Sequence, residues 1–252
     1  MSVDPTGKTI VFAGPSLPIG VRPIDPDIVW LPPVKAGDTF ALADGKPKAV
    51  VIIDGLFDSV PAVRHKEILL LLARGVPVIG GASMGALRAA ELHTFGMIGV
   101  GEIFAAFASG RLTGDDEVAV MHGPPDWDWT PLTEALVNVR ATIGRAVKRR
   151  VFDAETGRKI VVAAIAIFYQ DRTWPVLLAD IEDRDIVSTS QSRRFRDWLV
   201  VNTVNLKQRD ALACLDRVAG LDAAARRART DPPATIFTDD LRADVEARLI
   251  GR

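Results

Sequence analysis

The chain has 252 residues, 48% of them hydrophobic and 25% charged, with a formal net charge of −1. This is the make-up of a globular chain with a sizeable core, and it lacks the basic surplus with which proteins hold nucleic acid or anionic membranes. A single cysteine, Cys214, excludes an internal disulfide and a cysteine-based zinc site, and its helical apolar surroundings (ALACLDRVAGL) make it core filler.

In chain order, Thr9–Gly14 predicts a first strand, apolar throughout as expected where both sheet faces are covered. Gly14-Pro15-Ser16 then turns sharply and fits neither a dinucleotide fingerprint nor a Walker A loop. Asp27–Pro33 predicts a second strand stopped by its prolines, and Ala36–Ala43 a short helix. Lys48–Gly55 is a third strand with Asp54 at its carboxyl end. Ser59-Val60-Pro61 opens a helix that runs through His65-Lys66-Glu67 to Leu72 and closes at Arg74-Gly75.

Gly75–Gly81 predicts a fourth, buried strand, and Met84–Glu91 has the Ala, Leu and Glu content of a helix. Between them Gly81-Ala82-Ser83-Met84-Gly85 spells G-x-S-x-G in the strand–turn–helix setting of a nucleophile elbow. Three readings stay open: Ser83 as nucleophile, the turn as an anion site built on helix N–H groups, and Ser83 as a plain helix cap. A helix follows over Glu102–Ser109, and Val118–His122 predicts a fifth strand. Alternating strands and helices argue for an α/β fold, an open, mainly parallel sheet with flanking helices of Rossmann or flavodoxin-like type. Ligands of such sheets bind at the carboxyl ends of the strands, where Ser16, Asp54, Ser83 and His122 would gather and His65 could reach in.

Beyond Pro125 the pattern turns helical, with predicted helices over 131–150, 159–169, 197–215 and 239–249 and a solvated stretch at 223–230. The expected domains are therefore an α/β core over 1–125 and a mainly helical region over 126–252, packed on or capping it. His93 suits a helix C-terminus, His122 is either a base or a structural histidine, and Trp127 and Trp129 suit a buried hinge. Asp115-Asp116-Glu117 offers carboxylates but no supporting ligand spacing, so no metal is expected. The longest apolar run, 160–168, falls short of the roughly eighteen residues of a membrane span, and the N-terminus has no secretory pattern. The expectation is a cytoplasmic protein.

VFAGPSLP (11–18), LPPVKAGD (31–38), IIDGLF (52–57), VPAVRHKEILLLLARGV (60–76), GASMGALRAAEL (81–92), FGMIGVGEIF (95–104), DDEVAVMHGP (115–124) and LVNVRATI (136–143) resemble, in order, the TfuA-like family. Residues matching the family motifs are Ser16, Asp54, His65, Lys66, Glu67, Ser83, Arg88, Glu91, His93, Asp116, Glu117 and His122; Arg64 stands where some relatives have Trp. The resemblance implies a role beside YcaO-type proteins in backbone thioamidation of ribosomally made peptides, with ATP on the YcaO-type partner and no cofactor here. In one version the chain supplies sulfide from a thiocarboxylated sulfur-carrier protein. Ser83 then attacks the acyl carbon, His122 or His65 is the base, and Asp54 orients it. Arg88 or Lys66 faces the departing sulfur. Ser16, Gly81, Met84, Gly85, Glu67 and Glu91 line the binding site. In the other version the chain recruits or activates the YcaO-type protein and holds a carrier tail or precursor peptide without cleaving it. A free-standing serine hydrolase would use the same residues.

Overall fold

The computed structural model describes residues 4–58 and 60–221, together with Ala243. They divide into two compact units, one formed by residues up to Arg111 with those from Arg209 onward, the other by Leu112–Gln208. The predicted helix at 239–249 and the stretch at 223–230 lie outside the described residues.

The first unit is built on five parallel strands: β1 (Thr9–Phe12), β2 (Ile28–Leu31), β3 (Ala49–Ile52), β4 (Val78–Gly80) and β5 (Ile98–Gly99). Their spatial order is β2-β1-β3-β4-β5. β1 and β3 are buried at every position, which is why they are apolar without alternation. Ile10, Phe12, Val50, Ile52 and Val78 point to one face, where α1 (His65–Ala73) and α2 (Met84–Leu92) cover them with Ile68, Leu71, Leu72 and Ala89. Val11, Val51, Ile53 and Ile79 point to the other, against Ala211 and Cys214. The order reverses between β1 and β3, and that switch point is where such sheets open a crevice. α3 (Gly101–Ala108) follows β5 directly.

The second unit is helical: α4 (Leu136–Lys148), α5 (Ala154–Ala166), α6 (Trp174–Asp183) and α7 (Thr189–Asn202). Leu136, Val139 and Ile143 of α4, Ile160 and Ala163 of α5, Leu177 and Ile181 of α6, and Phe195 and Leu199 of α7 make its core. Phe195 anchors it, edge-on to Phe152 at 4.9 Å and stacked on Trp198 at 5.8 Å. α8 (Leu206–Ala219) starts in this unit and continues into the first.

Several sequence expectations are corrected. The fifth strand is Ile98–Gly99, paired to β4 through Ile79↔Ile98 and Gly80↔Gly99, and not Val118–His122. The latter is apolar because Val118 and Ala119 are buried in the helical unit; a short apolar run signals burial without saying in what. The predicted 36–43 helix is reduced to a 3-10 turn at Phe40–Leu42. α1 begins at His65, not near Ser59, because the Glu67 carboxylate accepts the Arg64 N–H (3.1 Å) and places the cap there. α4 begins at Leu136 and not at Pro131, and α5 begins at Ala154, capped by Asp153. The predicted 197–215 helix is two: Thr203 ends α7, and Asn205 restarts the chain by accepting the Gln208 N–H (3.0 Å). No helix among the described residues is long and apolar enough to cross a membrane.

Candidate active site

β4 runs into Gly81, and Ser83 is the N-cap of α2. Between them the Ser83 N–H bonds back to the Gly81 carbonyl at 2.7 Å, closing a three-residue turn around Ala82 at φ +65°. That is γ-turn geometry, strained for a residue with a Cβ. The strain holds the serine where strand gives way to helix, and Ser83 is buried to 8% exposure.

The glycines of the motif serve close packing. A Cβ on Gly85 would lie 1.7 Å from the Ile52 carbonyl oxygen, so α2 rests directly on β3. A Cβ on Gly81 would lie 2.4 Å from the Cys214 sulfur and 2.7 Å from the Val100 carbonyl oxygen. Their N–H groups are engaged as well: Gly81 donates to Ile52 O, Gly85 to Ile53 O and Ala86 to Ser83 O. Within Gly81–Gly85, Ala82 and Met84 are left with N–H groups that no carbonyl or side chain among the described residues accepts. The oxyanion hole expected over Gly81–Gly85 is therefore narrowed to these two donors.

Asp54 and Ser16 meet at the switch point. The Asp54 carboxylate accepts the Gly14 N–H (2.8 Å), the Ser16 N–H (3.0 Å) and the Ser16 hydroxyl (2.6 Å). With all three bonds made to the turn after β1, Asp54 orients that turn and not a histidine; Ser16 is its partner.

His65, Arg88 and Glu91 come together across α1 and α2. Glu91 Oε2 lies 2.8 Å from His65 Nε2 and 2.6 Å from an Arg88 Nη, while Arg88 Nε donates to the Val63 carbonyl at 2.9 Å. A carboxylate only accepts, so Nε2 of His65 carries the proton and Nδ1 the lone pair. Arg88 is thus held by Glu91 and the backbone, and Glu91 is eight residues, about 12 Å of helix, beyond Ser83. Lys66 is half-buried beside His65. Glu67 points the other way, fully buried, accepting from Gly37 N (2.8 Å), Thr39 Oγ1 (3.1 Å) and Arg64 N, and burial pushes its pKa up. It is a structural clamp on the 37–39 loop.

His122 belongs to the helical unit. Its Nδ1 lies 2.9 Å from the Gly123 carbonyl oxygen, which fixes Nδ1 as donor and leaves the lone pair on Nε2, and its ring meets Trp129 edge-on at 5.1 Å. His93 Nδ1 bonds the Ala90 carbonyl at the end of α2.

Four contributors went unread in the sequence. Arg140 forks onto Glu117 (2.7–3.2 Å), and fully buried Arg172 donates to the carbonyls of Ala164, Ile167 and Asp116. The acidic run at 115–117 is therefore partly buried and arginine-bound; among the described residues no three His, Cys, Asp or Glu side chains could together hold a metal ion. Asp210 caps α3 by accepting the Ile103 N–H at 2.8 Å. Ala82 carries the strain. Cys214, behind Gly81, has its thiol pushed far up by burial and is no thiolate.

Fold and site define an open parallel α/β protein that presents a strained serine turn at the carboxyl edge of its sheet. Residues 54–173 match the family model described as TfuA-like protein. The match takes in Asp54, His65, Ser83, His122, Arg140 and Arg172, and leaves out Ser16, Asp210 and Cys214. No curated protein matches the chain.

Proposed function

We propose that this chain is an accessory enzyme of YcaO-dependent thioamidation of ribosomal peptides, supplying sulfide by cleaving the thiocarboxylated C-terminus of a sulfur-carrier protein. The observation that carries the reading is the Ser83 turn: a serine on a strained γ-turn, at the strand-end edge, with the Met84 N–H open beside it. Ser83 Oγ attacks the thioacid carbon and its proton passes to an imidazole. The tetrahedral oxyanion rests against the Met84 N–H. Collapse breaks the C–S bond, hydrosulfide leaves, and the carrier remains as an ester on Ser83. Water then attacks this ester, regenerating Ser83 and releasing the carrier carboxylate. In sum, thiocarboxylate and water give carboxylate, hydrosulfide and a proton.

His65 is the favoured base. It shares a unit with Ser83, and the Glu91 carboxylate on Nε2 stabilises the imidazolium that forms while Nδ1 is free to accept; with Glu91 about 12 Å of helix beyond Ser83, the proton reaches His65 through intervening water. His122, with its lone pair on Nε2, is the competing choice. The reading needs no cofactor on this chain, leaves ATP to the YcaO-type partner, and sets the chemistry in the cytoplasm.

A second reading has its own support. The open N–H groups at the Ser83 turn also suit holding the carboxylate of a carrier tail or precursor peptide without cleavage, which makes the chain a recruiting partner of a YcaO-type protein. Sulfide release from a thiocarboxylated carrier separates the two. Release by the wild type and loss of about a hundredfold or more in Ser83→Ala, with the fold retained, supports cleavage. Equal release by both variants, or none by either, overturns it; tail binding that survives Ser83→Ala then supports recruitment. His65→Gln and His122→Gln, assayed in parallel, identify the base.

A further inference from the structure

α6 and α7 leave a groove open between them in the helical unit. Trp174, Leu178 and Glu182 line it from one row of α6, four residues apart, and Pro175, Ala179 and Asp183 from the next. Arg196, Leu199 and Val200, at i, i+3 and i+4, line it from α7. Every one of these residues lies within its helix, so helical spacing holds along both walls. The cavity is about 590 Å³, the size of a ligand pocket. Leu178 and Leu199 are buried and form its floor, while Val200 stands 80% exposed at its edge.

The charges of the groove say what it takes. Glu182 and Asp183 occupy the last turn of α6, where the backbone carbonyls already make the potential negative and a cation is favoured. Neither carboxylate forms an ion pair or a side-chain hydrogen bond among the described residues. Arg184, next in the chain, is held by Asp180 at 2.9 Å. Arg196, on the facing wall, also forms no ion pair among the described residues, so no guanidinium–carboxylate contact bridges the two walls. Two carboxylates against one guanidinium leave the groove net negative, at a helix end where carboxylates oppose stability.

We propose that the α6–α7 groove docks an amphipathic peptide helix that carries a lysine or arginine beside its apolar stripe. A third helix packs between two others at an interaxial distance of about 8–10 Å, and its side chains at i, i+3, i+4 and i+7 rest on Leu178, Leu199 and Val200. Its cation answers Glu182 and Asp183 and relieves their repulsion with the end of α6. An acidic or purely apolar helix leaves both carboxylates unanswered. The site lies wholly in the helical unit and does not depend on the Ser83 chemistry.

Three labelled helical peptides of about 18 residues, sharing one leucine stripe and differing in a flanking Lys, Gln or Glu, test the proposal. Fluorescence anisotropy with the full chain should rank their affinities Lys, Gln, Glu, with about tenfold between first and last. The double variant Glu182→Lys, Asp183→Lys should invert that order. Lysines suit the end of α6, so its melting temperature should hold or rise. Arg196→Gln should tighten the Lys peptide about threefold. Val200→Glu, at an exposed position that leaves the fold alone, should weaken the Gln peptide about tenfold. Should the double lysine variant fail to fold, Glu182→Gln with Asp183→Asn removes the charges alone and should erase the preference for Lys. No binding up to about 500 µM, a preference for the Glu peptide, an order the charge variants leave unchanged, or indifference to Val200→Glu overturns the proposal.

Discussion

In the sheet unit the most deeply buried charges are carboxylates met by N–H and O–H donors: Asp54 by Gly14 and Ser16, Glu67 by Gly37, Thr39 and Arg64, Asp210 by Ile103. In the helical unit they are cations met by carbonyls: Arg172 by Ala164, Ile167 and Asp116, Lys207 by Val118 at 2.7 Å. The difference follows from topology. A parallel sheet gathers strand ends and helix N-termini along one edge, which leaves N–H groups in excess there. A chain folding back after α5 leaves carbonyls in excess, and Arg172 caps that helix end. In each unit the most deeply buried charges carry the sign its spare backbone groups call for; Glu117, also buried in the helical unit, is answered by Arg140 instead.

The largest test of this is Arg172→Met. Packing volume is roughly kept, but three carbonyls lose their donor and Asp116 its cation, so the expected loss is about 4 kcal/mol. Hydrogen exchange followed by mass spectrometry should show lost protection within 112–208 and little change at β1, β3 and β4. Loss spread evenly over both units would break the division.

Next comes a pair of glycines with opposite expectations. Gly85→Ala forces a Cβ to within 1.7 Å of the Ile52 carbonyl oxygen and should cost about 3 kcal/mol by pushing α2 off β3. Gly144→Ala, in the interior of α4 with no atom within 4 Å of the new Cβ, should gain about 0.8 kcal/mol from helix propensity. Denaturant midpoints measure both. A Gly85→Ala variant as stable as the wild type would show that the helix–sheet contact is looser than drawn.

What could be read in the sequence divides along the same line. Four of the five strands and the Ser83 turn were legible because a strand covered on both faces is apolar throughout, and the strand–glycine–helix order is local. β5 has two residues, one of them glycine, too few for any periodicity. The Val118–Ala119 run signals burial and nothing more. The strain at Ala82 has no signature at all, since a positive φ is normally announced by glycine. Thr173-Trp174-Pro175 did announce α6, with Thr173 Oγ1 accepting the Val176 N–H, and its signal went unread. Arg172 and Asp116 are 56 residues apart and Asp210 and Ile103 are 107 apart, separations at which no pattern in one chain joins a charge to its partner. The catalytic candidates were legible as residue types; Asp54 was assigned the wrong partner because the sequence shows which strand end it occupies but not what the turn after β1 needs.

The smallest effect is the most diagnostic of how the sheet unit carries its anions. Asp210 Oδ2 accepts the Ile103 N–H, and the carboxylate fills the space where a Gly101 side chain would stand, Gly101 itself being at φ +95°. Burial raises the Asp210 pKa above the ordinary 3.8, and the nearby Glu102 charge adds to the rise. An acid whose folded pKa is raised binds its proton more tightly in the native state. Its contribution to stability is complete below 3.8 and is lost as the pH rises through the folded value. Asp210→Asn keeps an acceptor for Ile103 and removes the titration, so at neutral pH it should cost no more than about 1 kcal/mol. Its penalty relative to the wild type should grow as the pH is lowered from 7 toward 4, because only the wild type gains from protonation across that window. Urea midpoints at a series of pH values would show it. A penalty that shrinks on acidification would mean that the Ile103 N–H and the α3 N-terminus outweigh burial at Asp210, and the carboxylates of the sheet unit would then be held by their donors more strongly than desolvation opposes them.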